Sequence, residues 1–284
     1  MDFITFSEIL KDAVWRGELV FMGDKPSGRR WIEPPEDATV LALAPHPDDP
    51  DSIAVTLRIL ANAGCRVSYM IVSSSYGGVT GGYALKYAIE NGEPTGGDLE
   101  ACKAKLRREE QLESARMAGF VGDRLEFLTV EEGERGNLIE SERNRQIIEQ
   151  ALAAADPDIA VMPYGEDTNI AHVLVYRYFR ECAFNLAKRR KRPILGLYNR
   201  DPKTINITEQ LVVPFEGEAA RWKASLLRAH RSQHERNLEE RGYGFDERIL
   251  RTNREIQQSL QARVLEPWKE ECPYAEAFQV ECFR

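Results

Sequence analysis

Residues 40–55 read VLALAPHPDDPDSIAV. An apolar run stops at Pro45, and His46, Asp48, Asp49 and Asp51 follow within six positions. A short, unbroken apolar run bounded by proline predicts a strand buried on both faces, as in a parallel sheet. Pro47 and Pro50 keep the residues before them extended, so His46 and Asp49 can converge on one point with Asp48 beside it. An imidazole and a carboxylate together bind zinc or a similar ion, and a free carboxylate next to them can act on water. The same text also reads as an Asp-rich turn in which Asp51 or Ser52 caps a helix.

Working outward, apolar strand patterns alternate with helical periods. "IAVTLRILANAG" predicts a helix ending on Gly64, and "RVSYMIVSSS" a second strand. A charged helix follows over about Leu99 to Gly119. "RLEFLTV" and "DIAVMPY" read as further strands, each followed by a helical pattern. This β-α alternation predicts an α/β fold, a Rossmann-like three-layer sandwich with a mostly parallel sheet. In such sheets ligands sit beyond the carboxyl ends of the strands, which is where His46 to Asp51 fall. The glycine-rich stretch from Gly77 to Gly97 predicts a long loop over that edge. Past "PILGLYNR" the alternation loosens into "QLVVP", one helix from Glu216 to about Glu240, and a charged tail. Residues 1–37 read as an N-terminal extension and 38–284 as the main domain.

Composition narrows the function. The 284 residues are 43% apolar and carry a formal charge of −8, which argues against nucleic acid or an anionic membrane as partner. The run Arg189-Arg190-Lys191-Arg192 closes a helical pattern before Pro193, where cations suit free carbonyls. The five cysteines are scattered, without C-x-x-C spacing, as in a reduced cytoplasmic protein. No apolar run approaches membrane-spanning length. A homo-oligomer is compatible with all of this. The first strand-to-helix turn has acids where a phosphate loop needs glycines, which weighs against a nucleotide-binding protein.

A second site lies at the same predicted edge. "MPYGEDTNIAH" leaves a strand and enters a helix carrying His172. A catalytic zinc site needs three protein ligands and an open position, and His46, Asp49 and His172 would supply them. Taken alone, His172 is an ordinary packed histidine.

These blocks carry a resemblance. "HPDD" at 46–49, "RREEQLESARMAG" with Arg107 and Glu110, "DTNIAH" at 167–172 and "KASLLRAHRSQ" at 223–233 resemble the LmbE/PIG-L family of zinc-dependent N-acetylglucosamine deacetylases. The resemblance implies that His46, Asp49 and His172 hold zinc or another divalent transition metal. It implies Asp48 as general base on water and an N-acylated amino sugar or glycoconjugate as substrate. Two departures stand out. Where the family has His-Pro-Asp-His, this chain has Asn169-Ile170-Ala171-His172, so the histidine that stabilises the oxyanion and its supporting aspartate are both missing. Asn169 remains as a neutral donor. Two function classes stay open: a metal-dependent hydrolase removing an acyl group, or a degenerate member that binds metal or sugar with little hydrolysis. Arg107 and Glu110 also fit a plain i,i+3 ion pair. His230 and His234 share a helix face without an obvious third ligand, His230 being better placed to reach the pocket. Tyr76, Tyr164 and Lys86 fall in loops suited to a polar substrate.

Overall fold

The chain opens with helix α1 (Phe3–Trp15), capped by Asp2, whose carboxylate accepts from Thr5 N at 2.9 Å. Short strands β1 (Val20–Met22) and β2 (Trp31–Ile32) lead to β3 (Thr39–Ala44), the TVLALA run. Then come α2 (Asp49–Ser52), α3 (Ala54–Asn62), β4 (Arg66–Ile71), α4 (Gly81–Asn91) and α5 (Leu99–Ala118). They are followed by β5 (Leu125–Phe127), α6 (Glu142–Ala155), β6 (Ile159–Pro163), α7 (Ile170–Arg190) and β7 (Ile194–Asn199). The chain closes with β8 (Leu211–Phe215), α8 (Gly217–Ala229), α9 (Arg231–Arg241), α10 (Phe245–Gln261) and β9 (Tyr274–Phe283). This computed structural model describes residues 1–23, 31–93, 95, 99–261 and 272–284.

The strands form one sheet in the order β2-β1-β8-β9-β7-β6-β3-β4-β5, in which only β9 runs antiparallel to its neighbours. From β5 to β7 the sheet has the doubly wound order, reversing direction between β3 and β6. The crevice at that reversal is where such sheets bind ligands. Alternation along β3 builds both faces. Val40 and Ala42 join the apolar cluster with Phe6, Leu10 and Leu57, while Leu41 and Leu43 join Ile148, Leu174 and Phe179. Thus α1 and α3 cover one face, and α6 and α7 the other. The α/β sandwich expected from the alternation is what the chain forms.

Four details differ from the reading of the text. The Gly77–Gly97 stretch is not one loop. A 3-10 turn (Tyr76–Gly78) is followed by α4, capped by Thr80 and ended by left-handed Gly92, with residues 94, 96 and 97 outside the described set. The leading glycines disguised the helical period of "YALKYAIEN". The helix over Glu216 to Glu240 is two helices, broken at His230 with ψ 63°. The charged tail supplies α10 and the ten-residue β9. Finally, two short strands within residues 1–37 join the sheet, β1 pairing with β8 and with β2.

Candidate metal centre

His46 follows the end of β3, and Asp48 and Asp49 open the short helix α2. Asp49 Oδ2 accepts from His46 N at 2.7 Å, so the carboxylate folds back onto the strand end instead of capping a helix. Across the sheet reversal, α7 starts at Ile170 and brings His172 to the same point. His172 Nε2 lies 3.2 Å from His46 Nδ1 and 3.6 Å from Asp49 Oδ1, while His46 Nδ1 is 3.2 Å from Asp49 Oδ2. All three residues are buried. Tetrahedral bonds of about 2.05 Å to zinc put neighbouring ligand nitrogens about 3.3 Å apart. Two imidazoles and a carboxylate at this separation fit a zinc-like ion.

The outer contacts support that fit. His172 Nδ1 lies 3.0 Å from Asp167 Oδ2, which fixes the ring and turns Nε2 toward His46 and Asp49. Asp201 forms a further acidic group with Asp167 and His172. Because it shares His172, this group belongs to the same centre. Burial opposes a charged His172, but Asp49 and Asp167 outweigh it and push His172 up to about 10. For His46 burial prevails and its value falls, with a smaller push from Lys203.

Asp48 faces a cleft of about 280 Å³, whose lining includes His46, Asn169, Lys203 and Arg107. Arg107 Nη2 donates to Asp48 Oδ1. Burial would raise Asp48, but the guanidinium outweighs it and holds the carboxyl well below the usual range. The i,i+3 pair of Arg107 with Glu110 does not form. Glu110 instead accepts from Ser232 N at 2.6 Å and Ser232 Oγ at 2.7 Å. Helix α5 turns Arg107, Glu110, Gln111 and Ser114 inward, a buried polar stripe at helical spacing.

The H-x-S-Q block knits elements together. His230 Nε2 is 2.6 Å from Asp51 Oδ2, which also accepts from Ser114, and Gln233 Nε2 donates to Gly78 O at 3.1 Å. His230 is fully buried and does not line the cleft, so it is not the donor that could reach the pocket. Asp51 is likewise no helix cap: its carboxylate is spent on His230 and Ser114. His234 lies 3.3 Å from Asp246, away from the triad's donor cluster.

Asn169 is the N-cap of α7, its Oδ1 accepting from Ala171 N at 3.0 Å. That leaves Nδ2 without a partner among the described residues, in a side chain that lines the cleft. Lys203 lines it too, on a loop clasped to the same corner. Thr168 N donates to Lys203 O at 3.2 Å, and Lys203 N to Asp201 Oδ1 at 2.9 Å. Nothing in the order of residues flagged Lys203, because it comes into the site only through this clasp. Tyr76 bonds Glu100 and Tyr164 packs on Tyr176 and Tyr198. Neither they nor Lys86 line the cleft.

The family model described as PIG-L, GlcNAc-PI de-N-acetylase, matches residues 41–183, half of the chain. The chain belongs to the PIG-L family. Solved structures share the PIG-L chain's fold. The N,N'-diacetylchitobiose deacetylase of Pyrococcus horikoshii superposes with a TM-score of 0.61 at 19% identity, covering 86% of this chain and 84% of that one. GalB, the 4-carboxy-2-hydroxymuconate hydratase of Pseudomonas putida KT2440, gives 0.57 at 15%, covering 86% and 95%. The zinc-inhibited form of the teicoplanin deacetylase Orf2 gives 0.54 at 16%, covering 86% and 98%. A comparison with curated proteins gives no match. Among the described residues no helix is long and apolar enough to cross a membrane.

Proposed function

We propose that this chain is a metal-dependent hydrolase that removes an acyl group, acetyl in the first instance, from the amide nitrogen of an amino sugar or its conjugate. The observation that carries the proposal is the convergence of His46, Asp49 and His172 at the sheet reversal, with Asp48 facing the adjoining cleft. Membership of the PIG-L family, and deacetylases among the structures of like fold, support the same reading.

His46, Asp49 and His172 would hold the ion, zinc or another divalent transition metal. Such an ion polarises an amide carbonyl and makes water nucleophilic near neutral pH. Asp48, kept ionised by Arg107, takes the proton from the attacking water. The same carboxyl can then pass that proton to the departing amine. The carbonyl oxygen gains charge as water adds. Asn169 Nδ2 and the Lys203 ammonium stand at the same cleft as donors for it, in place of the missing histidine.

The experiment combines elemental analysis with acetate release from a panel of N-acetylated amino sugars. About one ion per chain is expected, lost in His46→Ala and His172→Ala. Metal-dependent acetate release is expected to vanish in Asp48→Asn. Equal metal in all three proteins refutes the triad. A second reading, a binding protein with little hydrolysis, is favoured by the neutral Asn169. It prevails if metal binds but no acetate is released from any substrate.

A further inference from the structure

The far wall of the cleft lies outside the residues matched by the family model and is strongly basic. It is built from the end of α9 and the start of α10, which place Arg236, Arg241 and Arg248 on one side. Glu240 accepts from Arg236 Nε at 2.8 Å and feels the charge of Arg241 and Arg248 as well. Three guanidiniums thus share one carboxylate. The acids that follow are engaged elsewhere: Asp246 with Arg228 and Glu247 with Arg251. Among the described residues Arg241 and Arg248 form no ion pair.

A fourth cation reaches the cleft from another wall. Arg135 has φ 64°, a left-handed backbone that side chains rarely adopt, and its Nη2 donates to Gly77 O at 2.9 Å. The next residue, Gly136, is also left-handed, and a Cβ there would meet Ser74 Oγ at 2.4 Å. A sterically demanding turn that presents an exposed arginine at a cleft is a feature associated with function. In a chain with formal charge −8, Arg135, Arg241 and Arg248 give this cleft three guanidiniums that form no ion pair among the described residues, a local excess of positive charge. Guanidiniums match phosphate and carboxylate oxygens in a fork geometry that water competes with poorly.

We infer that the cleft binds an anionic substituent of the substrate, a phosphate ester or a carboxylate, on the wall formed by Arg236, Arg241 and Arg248, with Arg135 closing over it. The inference rests on the proposed function for what lies at the metal end: the acyl amide sits there and the anion at the arginine end. The substrate is therefore an acidic N-acyl amino sugar, such as a sugar phosphate, a nucleoside diphosphate sugar or an amino uronic acid.

The test uses deacylated probes, so that binding is read whether or not hydrolysis occurs. Glucosamine, glucosamine 6-phosphate and 2-amino-2-deoxyglucuronate are titrated calorimetrically into the purified full-length chain. At low salt at least one anionic probe is expected to bind about tenfold or more tightly than glucosamine. The anionic probe with the larger advantage identifies the group as phosphate or carboxylate. The advantage should shrink in high salt and fall severalfold in the R241Q/R248Q double variant, and separately in R135Q, with folding checked by circular dichroism. Equal binding of all three probes by the wild type overturns the inference. So does an advantage that survives undiminished in the double variant. Absence of acetate release, with the anionic preference intact and lost in the variants, refutes the hydrolase reading and supports the anion site.

Discussion

Arg107 and Asp48, 59 residues apart, form an ion pair, and the guanidinium has its Nε and Nη1 buried without partners among the described residues. Arg107 is only 2% exposed. Removing it deprives Asp48 of its ion-pair partner, so Arg107→Met is expected to destabilise the fold by about 3 kcal/mol, as breaking a buried pair does. It should also change the pH profile. Arg107 holds Asp48 below the usual carboxylate range, so its loss lets Asp48 take up a proton at higher pH. The acid limb of kcat/KM should then move upward, while Arg107→Lys retains most of the wild-type position. An unmoved limb in Arg107→Met would show that something other than Arg107 keeps Asp48 ionised.

Asp167 sets the orientation of His172 rather than touching the cleft. Asp167→Asn keeps a hydrogen-bond acceptor but removes the charge behind the imidazole. Loss of such a partner typically lowers metal affinity by about 10–100-fold. Competition with a chromophoric chelator measures it directly. A variant that binds metal as tightly as wild type would mean that packing alone aims His172.

The sheet edge was legible because its chemistry is local. Two prolines, one histidine and three aspartates in 46–51 mark the turn after β3, and the apolar strand before it fixes where that turn lies. His172 was legible for the same reason, lying after the next strand of the alternation. What escaped depends on contacts made across long sequence distances. Arg107 and Glu110 looked like each other's partners, yet a buried helix face sends them to Asp48 and Ser232. The stripe of Arg107, Glu110, Gln111 and Ser114 was the signal: three of these inward-facing side chains meet polar partners, in Asp48, Ser232 and Asp51, while both polar atoms of Gln111 are buried without one among the described residues. Strand β9 was masked by its charges. Glu276 reads as a surface residue until Lys223 Nζ is found donating to it at 2.7 Å.

His230 gives a stability prediction with a definite sign. Burial opposes its charge, but the Asp51 carboxylate at 2.6 Å outweighs burial and raises His230 above its ordinary value. A folded-state value above the unfolded one, near 6.5, means that the folded chain holds the extra proton. This stabilisation is fully present below about pH 6.5 and is lost as pH rises through the folded value. His230→Gln keeps a donor but no charge. Calorimetric melting at pH 6 and pH 9 should therefore show the wild type's advantage over the variant shrinking at the higher pH. A gap that stays constant or widens would contradict a charged His230.

Lys203 tests the proposed oxyanion donors. If its ammonium meets charge that develops only as water adds, Lys203→Met should lower kcat by about 10²-fold and leave KM little changed. Lys203→Arg should recover part of the rate. A loss confined to KM would assign Lys203 to substrate binding instead.

The site where this chain departs from its family gives the last prediction. Asn169→His restores a histidine at the mouth of the cleft, on a backbone position that already faces it. A well-placed donor contributes about 3 kcal/mol to the transition state, so a rise of up to about 10²-fold in kcat is expected. The supporting aspartate is another matter. Ala171 is fully buried in the apolar cluster of Leu174, Val175 and Met162. A carboxylate introduced there has no partner prepared for it, so adding Ala171→Asp should destabilise the chain by several kcal/mol. The single variant should therefore outperform the double one in both melting temperature and acetate release. If the double variant is as stable as wild type and faster than Asn169→His, the cluster around Ala171 is able to solvate the acid, and the loss of the family's pair in this chain was not fixed by packing.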